Sequence, residues 1–237
     1  MRPRVDIIHA CPGGCLLYKC KKITEDSDAF TLAKESNIMK EGEMRRYMIM
    51  PLMEKDHYTI EDIYALPEGE RAELIDGQMY MMSPPGRRHQ WLSNYLATEI
   101  NIYIRSKKGK CEVYAAPFGV FLKNEKGEDD YLEPDIVVVC DLEKLDEKGC
   151  HGAPDWVIEI VSPSSKKRDY LKKAAIYMEQ GVREYWIVDP DRKEIITYQE
   201  KDESFLMKYK FGEPVQVGIY EGLEITIAPE TCEIRRV

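Results

Sequence analysis

The chain has 237 residues, of which 43% are hydrophobic, a length that suits one well-buried domain with an appendage but not two full domains. Its formal net charge of -9 excludes a protein whose whole surface binds a polyanion, although a local basic patch stays open. No apolar run reaches the roughly 18 residues that a membrane helix requires, and the cysteines lack the paired spacing of a zinc ribbon. We therefore predict a cytoplasmic protein whose cysteines are reduced thiols.

The N-terminal segment differs from the rest of the chain in its weak hydrophobic periodicity. Cys11, Cys15 and Cys20 cluster there, but no fourth ligand stands at a spacing usual for zinc. We predict that residues 1–49 form an extension that is not part of the fold, and that residues 50–237 form the domain.

A short helix and a hairpin are the first regular elements of that domain. Thr59 precedes two acidic residues, as at the start of a helix. The strand-like segments 73–75 and 78–81 flank Asp76-Gly77, a dipeptide that suits a tight two-residue turn with positive φ angles. The sequence thus predicts an antiparallel pair of strands at this point.

An amphipathic helix is predicted over residues 89–105, because apolar side chains recur there at three- and four-residue spacing. Buried strands should follow. The segments 112–122, 132–139 and 155–161 carry apolar runs without clean alternation, which is typical of strands that are covered on both faces.

A second helix is predicted over residues 165–180, with a serine cap at its start and Gly181 at its end. Its apolar stripe should face the core, whereas Lys173 is expected on the exposed side in an ion pair with Asp169. A strand over 183–188 and a largely antiparallel tail complete the domain. The order helix, three strands, helix, strand indicates an α/β (α+β) fold with a mixed sheet flanked by helices. The apolar stripe predicted for the second helix consists of Leu171, Ala174, Ala175 and Met178.

Glu159 lies within an apolar, strand-prone run, where an unpaired carboxylate would be costly. A metal or a general acid/base role would explain it, and so would a lysine partner at the open end of the strand. Pro134-Asp135 opens the neighbouring predicted strand and places a second acid at its mouth. With the carbonyl of Ile160, the two acids would form an all-oxygen site suited to Mg²⁺. Read alone, Asp135 is more often a turn former after proline.

Several short motifs agree in order and spacing with those of a known family. They are Glu73-Leu74-Ile75-Asp76-Gly77, Met82-Ser83-Pro84-Pro85, His89, Pro134-Asp135, Glu159-Ile160-Val161-Ser162-Pro163-Ser164, Asp169, Lys173, Tyr177, Gly181-Val182 and Glu184-Tyr185-Trp186. Over residues 56–229 the chain thereby resembles the Uma-two family of restriction endonucleases, within the PD-(D/E)XK nuclease superfamily.

The resemblance implies the restriction-endonuclease-like fold, with an αβββαβ core and an additional antiparallel β tail. It implies a metal-dependent endonuclease that hydrolyses phosphodiester bonds in DNA with Mg²⁺, for which Mn²⁺ can substitute. Asp135 and Glu159 match the acids of the motif. Lys173 matches a lysine displaced to the following helix, since Val161 stands two positions after Glu159. Glu73 resembles an additional upstream acid.

The cations near these acids are the residues expected to contact the nucleic-acid backbone. His89 resembles a frequent companion of the motif, with no role that the sequence assigns. A displaced lysine also fits a non-catalytic module that binds nucleic acid or mediates assembly, acting as a homodimer, and RNA or a nucleotide stays open as the substrate. A thiol nucleophile at Cys140, or at Cys150 beside His151, is the weaker alternative. The expected backbone contacts are Arg87, Arg88, Lys166, Lys167 and Arg168.

Overall fold

The structure is a computed structural model that describes residues 55–162, 168–199 and 206–232, without the side chains of residues 168, 169, 231 and 232. The predicted extension over residues 1–49 lies outside the described residues, and its boundary stays a prediction. The described residues from Asp56 onward belong to one compact unit. Across the described ranges, no helix combines the length and the apolar character that crossing a membrane would take.

The helices are α1 (Ile60–Tyr64), α2 (Arg87–Ser106) and α3 (Ala174–Glu179), and α3 continues a π-helical segment (Arg168–Lys173). Short 3₁₀ turns occupy Leu142–Lys144 and Pro229–Cys232. The strands are β1 (Ala72–Ile75), β2 (Gln78–Met81), β3 (Glu112–Ala115), β4 (Gly119–Lys123), β5 (Asp129–Leu132), β6 (Ile136–Val139), β7 (Leu145–Asp146), β8 (Gly149–His151), β9 (Trp156–Ile160), β10 (Glu184–Asp189), β11 (Glu194–Gln199), β12 (Met207–Lys210), β13 (Val215–Gln216) and β14 (Glu224–Ile225).

Within the part of the chain that the structure describes, two six-stranded sheets and a small strand pair carry the fold. The central sheet has the order β12-β11-β10-β9-β6-β3, in which β9 and β10 are parallel and the other neighbours antiparallel. The second sheet has the order β2-β1-β5-β4-β8-β7, and β13 pairs with β14. The predicted core order is confirmed as α2, β3, β6, β9, α3 and β10, and the predicted antiparallel tail is β11 and β12.

The two faces of the central sheet are covered differently. Leu92, Leu96, Ile100 and Ile104 of α2 recur every four residues, are all buried, and pack on the face that carries Trp156. The opposite face lies against α3 and the second sheet, where Tyr177 and Leu132 belong to one buried cluster with Val157. The predicted amphipathic helix is thus confirmed.

Both of the short N-terminal elements are also confirmed. The Asp62 carboxylate accepts a hydrogen bond from the Thr59 backbone N–H (3.0 Å) at the start of α1. Asp76 and Gly77 adopt φ angles of 52° and 71°, as the turn between β1 and β2 requires.

Two of the predicted strands are each divided between the two sheets. The predicted strand 112–122 breaks into β3 and β4 around Pro117, and the predicted strand 132–139 breaks between β5 and β6 around Pro134. Strands β3 and β6 join the central sheet, whereas β4 and β5 join the second sheet. Proline has no N–H to donate to a ladder, so the chain leaves one sheet at these points and enters the other.

The prediction of reduced thiols is wrong for Cys111 and Cys140, which form a disulfide. Glu112 at the start of β3 pairs with Val139 at the end of β6, and one further step of this register places the two cysteines opposite each other just outside the strands, with Cα atoms 4.0 Å apart. Sequence spacing could not reveal this contact, because 29 positions separate the two residues.

Gly149 joins the second sheet at a point where only glycine fits. Its φ is 145°, and an added Cβ would lie 2.1 Å from the carbonyl oxygen of Gly119 on β4. Gly149→Ala is therefore expected to lower the free energy of unfolding by about 2–4 kcal/mol, from backbone strain and overpacking together.

Gly127 offers a matched control, because its φ is 77° and nothing lies within 4 Å of an added Cβ. Gly127→Ala should cost about 1 kcal/mol, from the positive φ alone. Urea denaturation of both variants measures the difference, and equal losses would contradict the proposed clash.

Candidate active site

A cleft of about 630 Å³ opens where the central sheet meets the second sheet. Its lining combines residues from both sheets with the first turn of α2 and the end of the π-helical segment. The sequence-predicted site residues that it brings together are Glu73, Asp135, Glu159, Ile160, Lys173, Arg87 and Arg88, with His89 beside them.

Asp135 and Glu159 lie on the same face of the central sheet. Strand β6 pairs with β9 so that Ile136 is opposite Ile158, and one further step of that register places Asp135 opposite Glu159. Directly opposed residues in an antiparallel pair have Cβ atoms about 4.5–5.5 Å apart. The Asp135 Oδ2 atom also accepts a hydrogen bond from the Ile160 backbone N–H (2.7 Å). The two acids therefore lie at opposed positions on one face of the sheet, next to the Ile160 backbone.

Lys173 lies between two buried carboxylates. Its Nζ atom is 2.7 Å from Glu73 Oε1 and 2.9 Å from Glu159 Oε1, and the three side chains are at most 4% exposed. Glu73 comes from the second sheet and Glu159 from the central sheet, so one ammonium group connects the two sheets at the cleft. Burial of these charges is tolerated because each carboxylate has a cation within hydrogen-bond distance.

The orientation predicted for this helix is wrong. Leu171 is 65% exposed and Met178 37% exposed, whereas Lys173 is 3% exposed and Tyr177 fully buried. The helix thus turns its lysine and tyrosine inward, and only Ala174 of the predicted stripe is buried in the core. The physical reason is electrostatic, since two buried carboxylates need a counter-charge more than the core needs two more aliphatic side chains.

Tyr177 donates a second hydrogen bond to Glu159. Its hydroxyl is 3.1 Å from Glu159 Oε1, the same oxygen that Lys173 contacts. Burial, followed by the negative charges of Glu159 and Glu73, raises the pKa of the Tyr177 hydroxyl well above its ordinary value. The hydroxyl therefore stays protonated at neutral pH and holds the carboxylate in place.

His89 lies in the first turn of α2 and contacts the other acid. Its Nε2 atom is 3.1 Å from Asp135 Oδ2. Asp135 is thereby held from the strand side by the Ile160 backbone and from the helix side by an imidazole. The sequence placed His89 among the motif residues, but its contact with Asp135 depends on the packing of α2 against the sheet.

The donor atoms of the site suit a hard divalent cation. Asp135 and Glu159 supply carboxylate oxygens, and the Ile160 carbonyl points to the same neighbouring strand as its N–H, which bonds Asp135. Mg²⁺ uses one or two carboxylates and keeps several waters, so this set fits it. Within the described ranges, no three His, Cys, Asp or Glu side chains could hold a metal ion together. Further ligands would therefore come from backbone, water or substrate.

The family model described as Uma2, "Putative restriction endonuclease", matches residues 60–228, most of the chain. This chain belongs to the Uma2 family. An uncharacterized protein of Synechocystis sp. is 24% identical over 151 residues, covering 62% of this chain and 77% of that protein.

A solved structure agrees with the fold. The crystal structure of a "putative nuclease belonging to DUF820" from Anabaena variabilis matches with a TM-score of 0.59 and 20% identity, and the match covers 71% of this chain and 94% of that chain. At this identity the likeness shows the shared fold alone, which is the restriction-endonuclease-like fold of the Uma2 family.

The cations predicted to contact nucleic acid fall into three groups. Arg87 is exposed at the rim of the cleft, whereas Arg88 forms an ion pair with Asp191. Lys166 and Lys167 lie outside the described residues, as does the side chain of Arg168. Their role in this Uma2 member stays a prediction.

An arginine of the cleft was missed by the sequence reasoning. Arg71 forms an ion pair with Glu133, and both line the cleft of this Uma2 member. A usable signal did exist, because Arg71 stands two positions before Glu73 and side chains at i and i+2 of an extended segment share a face.

Thiol chemistry has no support at either predicted position. Cys140 is bonded to Cys111, and Cys150 is buried, which raises the pKa of its thiol to about 11. The thiolate is the reactive species, so native Cys150 should resist iodoacetamide at neutral pH and react readily once the protein is unfolded.

Mass spectrometry of the Cys150 peptide after labelling with and without urea measures this difference. While the fold persists, the labelling rate should rise about tenfold for each unit of pH below 11. Rapid labelling of the native protein at neutral pH would contradict the assignment of a buried, protonated thiol.

Proposed function

We propose that this chain is a metal-dependent endonuclease that hydrolyses phosphodiester bonds in DNA. Membership of the Uma2 family supports a nuclease. The observation that carries the proposal is that Asp135 and Glu159 lie at opposed positions on one face of the sheet, next to the Ile160 backbone and at the wall of a cleft.

Asp135, Glu159 and the Ile160 carbonyl are the groups that would hold Mg²⁺, for which Mn²⁺ can substitute. When bound there, the ion supplies Lewis-acid activation of water and stabilises charge that develops on the phosphate. His89 and the Ile160 N–H orient the Asp135 carboxylate, and Tyr177 and Lys173 orient that of Glu159. Fixed orientation of the ligands reduces the rearrangement that ion binding requires.

In this proposal Lys173 positions the attacking water, and Glu73 positions Lys173. Lys173 lines the cleft beside Glu159, so its ammonium group can donate to a water that approaches the phosphate. Glu73 accepts hydrogen bonds from Lys173 and from the Glu133 backbone N–H (3.2 Å). These two contacts fix the position of the lysine and also that of the backbone that leads into Pro134 and Asp135. Arg87 and Arg88, with the predicted cations Lys166, Lys167 and Arg168, would contact the DNA backbone.

The test is cleavage of supercoiled plasmid by the purified full chain in Mg²⁺ or Mn²⁺, with EDTA as the metal-free control. Nicked or linear products should form only with the metal, and Glu159→Ala purified in parallel should form none. Equal cleavage by both preparations would indicate a contaminant and would refute the proposal.

Asp155→Asn is a matched control, since this carboxylate stands at the other end of the same strand and does not line the cleft. It pairs with Arg183 instead, and its replacement should leave cleavage within about twofold of wild type. RNA and DNA oligomers compared in the same assay decide the substrate. Binding of DNA without cleavage in any metal would favour the non-catalytic module.

A further inference from the structure

The geometry points to Arg71 as a phosphate-binding residue of the cleft, held in position by Glu133. Arg71 would bind a non-bridging oxygen of a phosphate in a polynucleotide. The inference rests on the proposed function for its ligand, and it assigns a subsite within the cleft that the nuclease motif does not include.

The Arg71 side chain is fixed from one side only. Its Nε atom donates to Glu133 Oε2 (2.7 Å), and its Nη2 atom bonds the same oxygen. Glu133 is 7% exposed at its side chain, and its other oxygen, Oε1, accepts from the Tyr131 hydroxyl (2.8 Å). The chain Tyr131–Glu133–Arg71 therefore orders a guanidinium whose side chain is still 30% exposed, at the wall of the cleft.

The Tyr131 hydroxyl remains protonated and so keeps donating to Glu133. Burial, followed by the negative charge of Glu133, raises the pKa of Tyr131 above its ordinary value, so the hydroxyl stays a donor at neutral pH. Glu133 thus has a donor on each of its oxygens and a fixed direction in which to hold Arg71.

Donors of Arg71 are left over for a ligand. The Nη1 amino group and the second Nη2 hydrogen have no acceptor among the described residues. A planar guanidinium that is anchored along one edge presents its remaining edge as a fork, and this geometry matches the oxygens of a phosphate.

The other cations of the cleft are less suited to this task. Lys173 is 3% exposed, with its ammonium group held between Glu73 and Glu159. Arg88 is engaged by Asp191, and Arg87 is exposed at the rim. Among the described residues that line the cleft, Arg71 alone combines a side chain anchored by a buried carboxylate with partial exposure and with donors that no described residue uses.

The salt dependence of DNA binding tests the contact directly. A short fluorescent DNA duplex is titrated with the full chain in EDTA, which prevents cleavage, over a series of salt concentrations. Arg71→Gln should weaken binding about tenfold to a hundredfold and lower the slope of log K against log salt by about one, as expected for one lost phosphate contact. Arg71→Lys keeps the charge and loses the fork, so it should weaken binding with little change of slope.

Arg183→Gln is the matched control, because Arg183 also pairs with a carboxylate (Asp155, 2.9 Å) but does not line the cleft. Its slope should equal that of wild type. The double variant Arg71→Gln/Glu133→Gln avoids leaving Glu133 without its cation, and it should show the same reduced slope as Arg71→Gln.

Each outcome decides the inference separately from the proposed function. An unchanged slope in Arg71→Gln and in the double variant, a slope reduced as much in Arg183→Gln, or wild type that does not bind the duplex would each overturn it. A reduced slope in a protein that fails to cleave plasmid would support the phosphate contact and reject the nuclease. Cleavage by wild type, together with an unchanged slope in the Arg71 variants, would support the nuclease and reject the phosphate contact.

Discussion

Lys173→Met is expected to lower the free energy of unfolding by about 3–5 kcal/mol, because it leaves Glu73 and Glu159 buried without their shared cation. Methionine fills a similar volume, so the loss would reflect charge and hydrogen bonding more than a cavity. Tyr177 still donates to Glu159, but a single hydroxyl does not compensate two negative charges. Urea denaturation followed by circular dichroism measures the effect.

The neighbouring Lys172 provides the control. Its ammonium group lies 3.1 Å from Asp76, yet both side chains are substantially exposed, so Lys172→Met should cost no more than about 1 kcal/mol. Adding Glu73→Gln to Lys173→Met removes one of the two buried negative charges and should restore part of the lost free energy of unfolding. Equal stability of the two single lysine variants would contradict the buried ion triad.

Asp135→Asn should weaken binding of Mn²⁺ at least about a hundredfold and lower the cleavage rate about a thousandfold. The amide keeps an oxygen that can accept from the Ile160 N–H, so the backbone around it should stay in place. What the substitution removes is the negative charge that a divalent ion would bind. Isothermal titration calorimetry with Mn²⁺ and the plasmid assay measure the two effects.

Asp130→Asn is a suitable comparison for Asp135→Asn. Asp130 is a buried carboxylate five positions earlier that accepts from the Asp76 backbone N–H (2.8 Å) and does not line the cleft. Its replacement should leave metal binding and cleavage within about twofold of wild type. If Asp135→Asn bound Mn²⁺ as tightly as Asp130→Asn, Asp135 would not be a metal ligand.

Local patterns predicted those elements whose signals lie within a few residues of one another. The Asp76-Gly77 turn follows from the φ angles that the two residues tolerate, and α2 follows from the four-residue spacing of its apolar side chains. The positions of Asp135 and Glu159 at strand ends were also readable, because a carboxylate beside an apolar run is rare without a cause.

The remaining features depend on contacts between distant segments. The inward orientation of the Lys173 side chain could not be predicted from the helix sequence, because it depends on a contact with Glu73, which lies on the second sheet. The same holds for the Cys111–Cys140 disulfide and for the Arg71–Glu133 pair. The predicted strand 112–122 failed for a different reason, since the chain changes sheets at Pro117 while its residues stay apolar on both sides.

The chain passes between the two sheets at Pro117 and at Pro134, and the cleft lies where these two layers meet. Glu73 belongs to one layer and Glu159 to the other, so their common contact with Lys173 exists only while both layers are assembled. A sub-global opening that releases the second sheet would abolish this contact and leave α2 packed on the central sheet. Mild heat or urea should therefore abolish the proposed cleavage activity before most of the backbone amides lose their protection from hydrogen exchange.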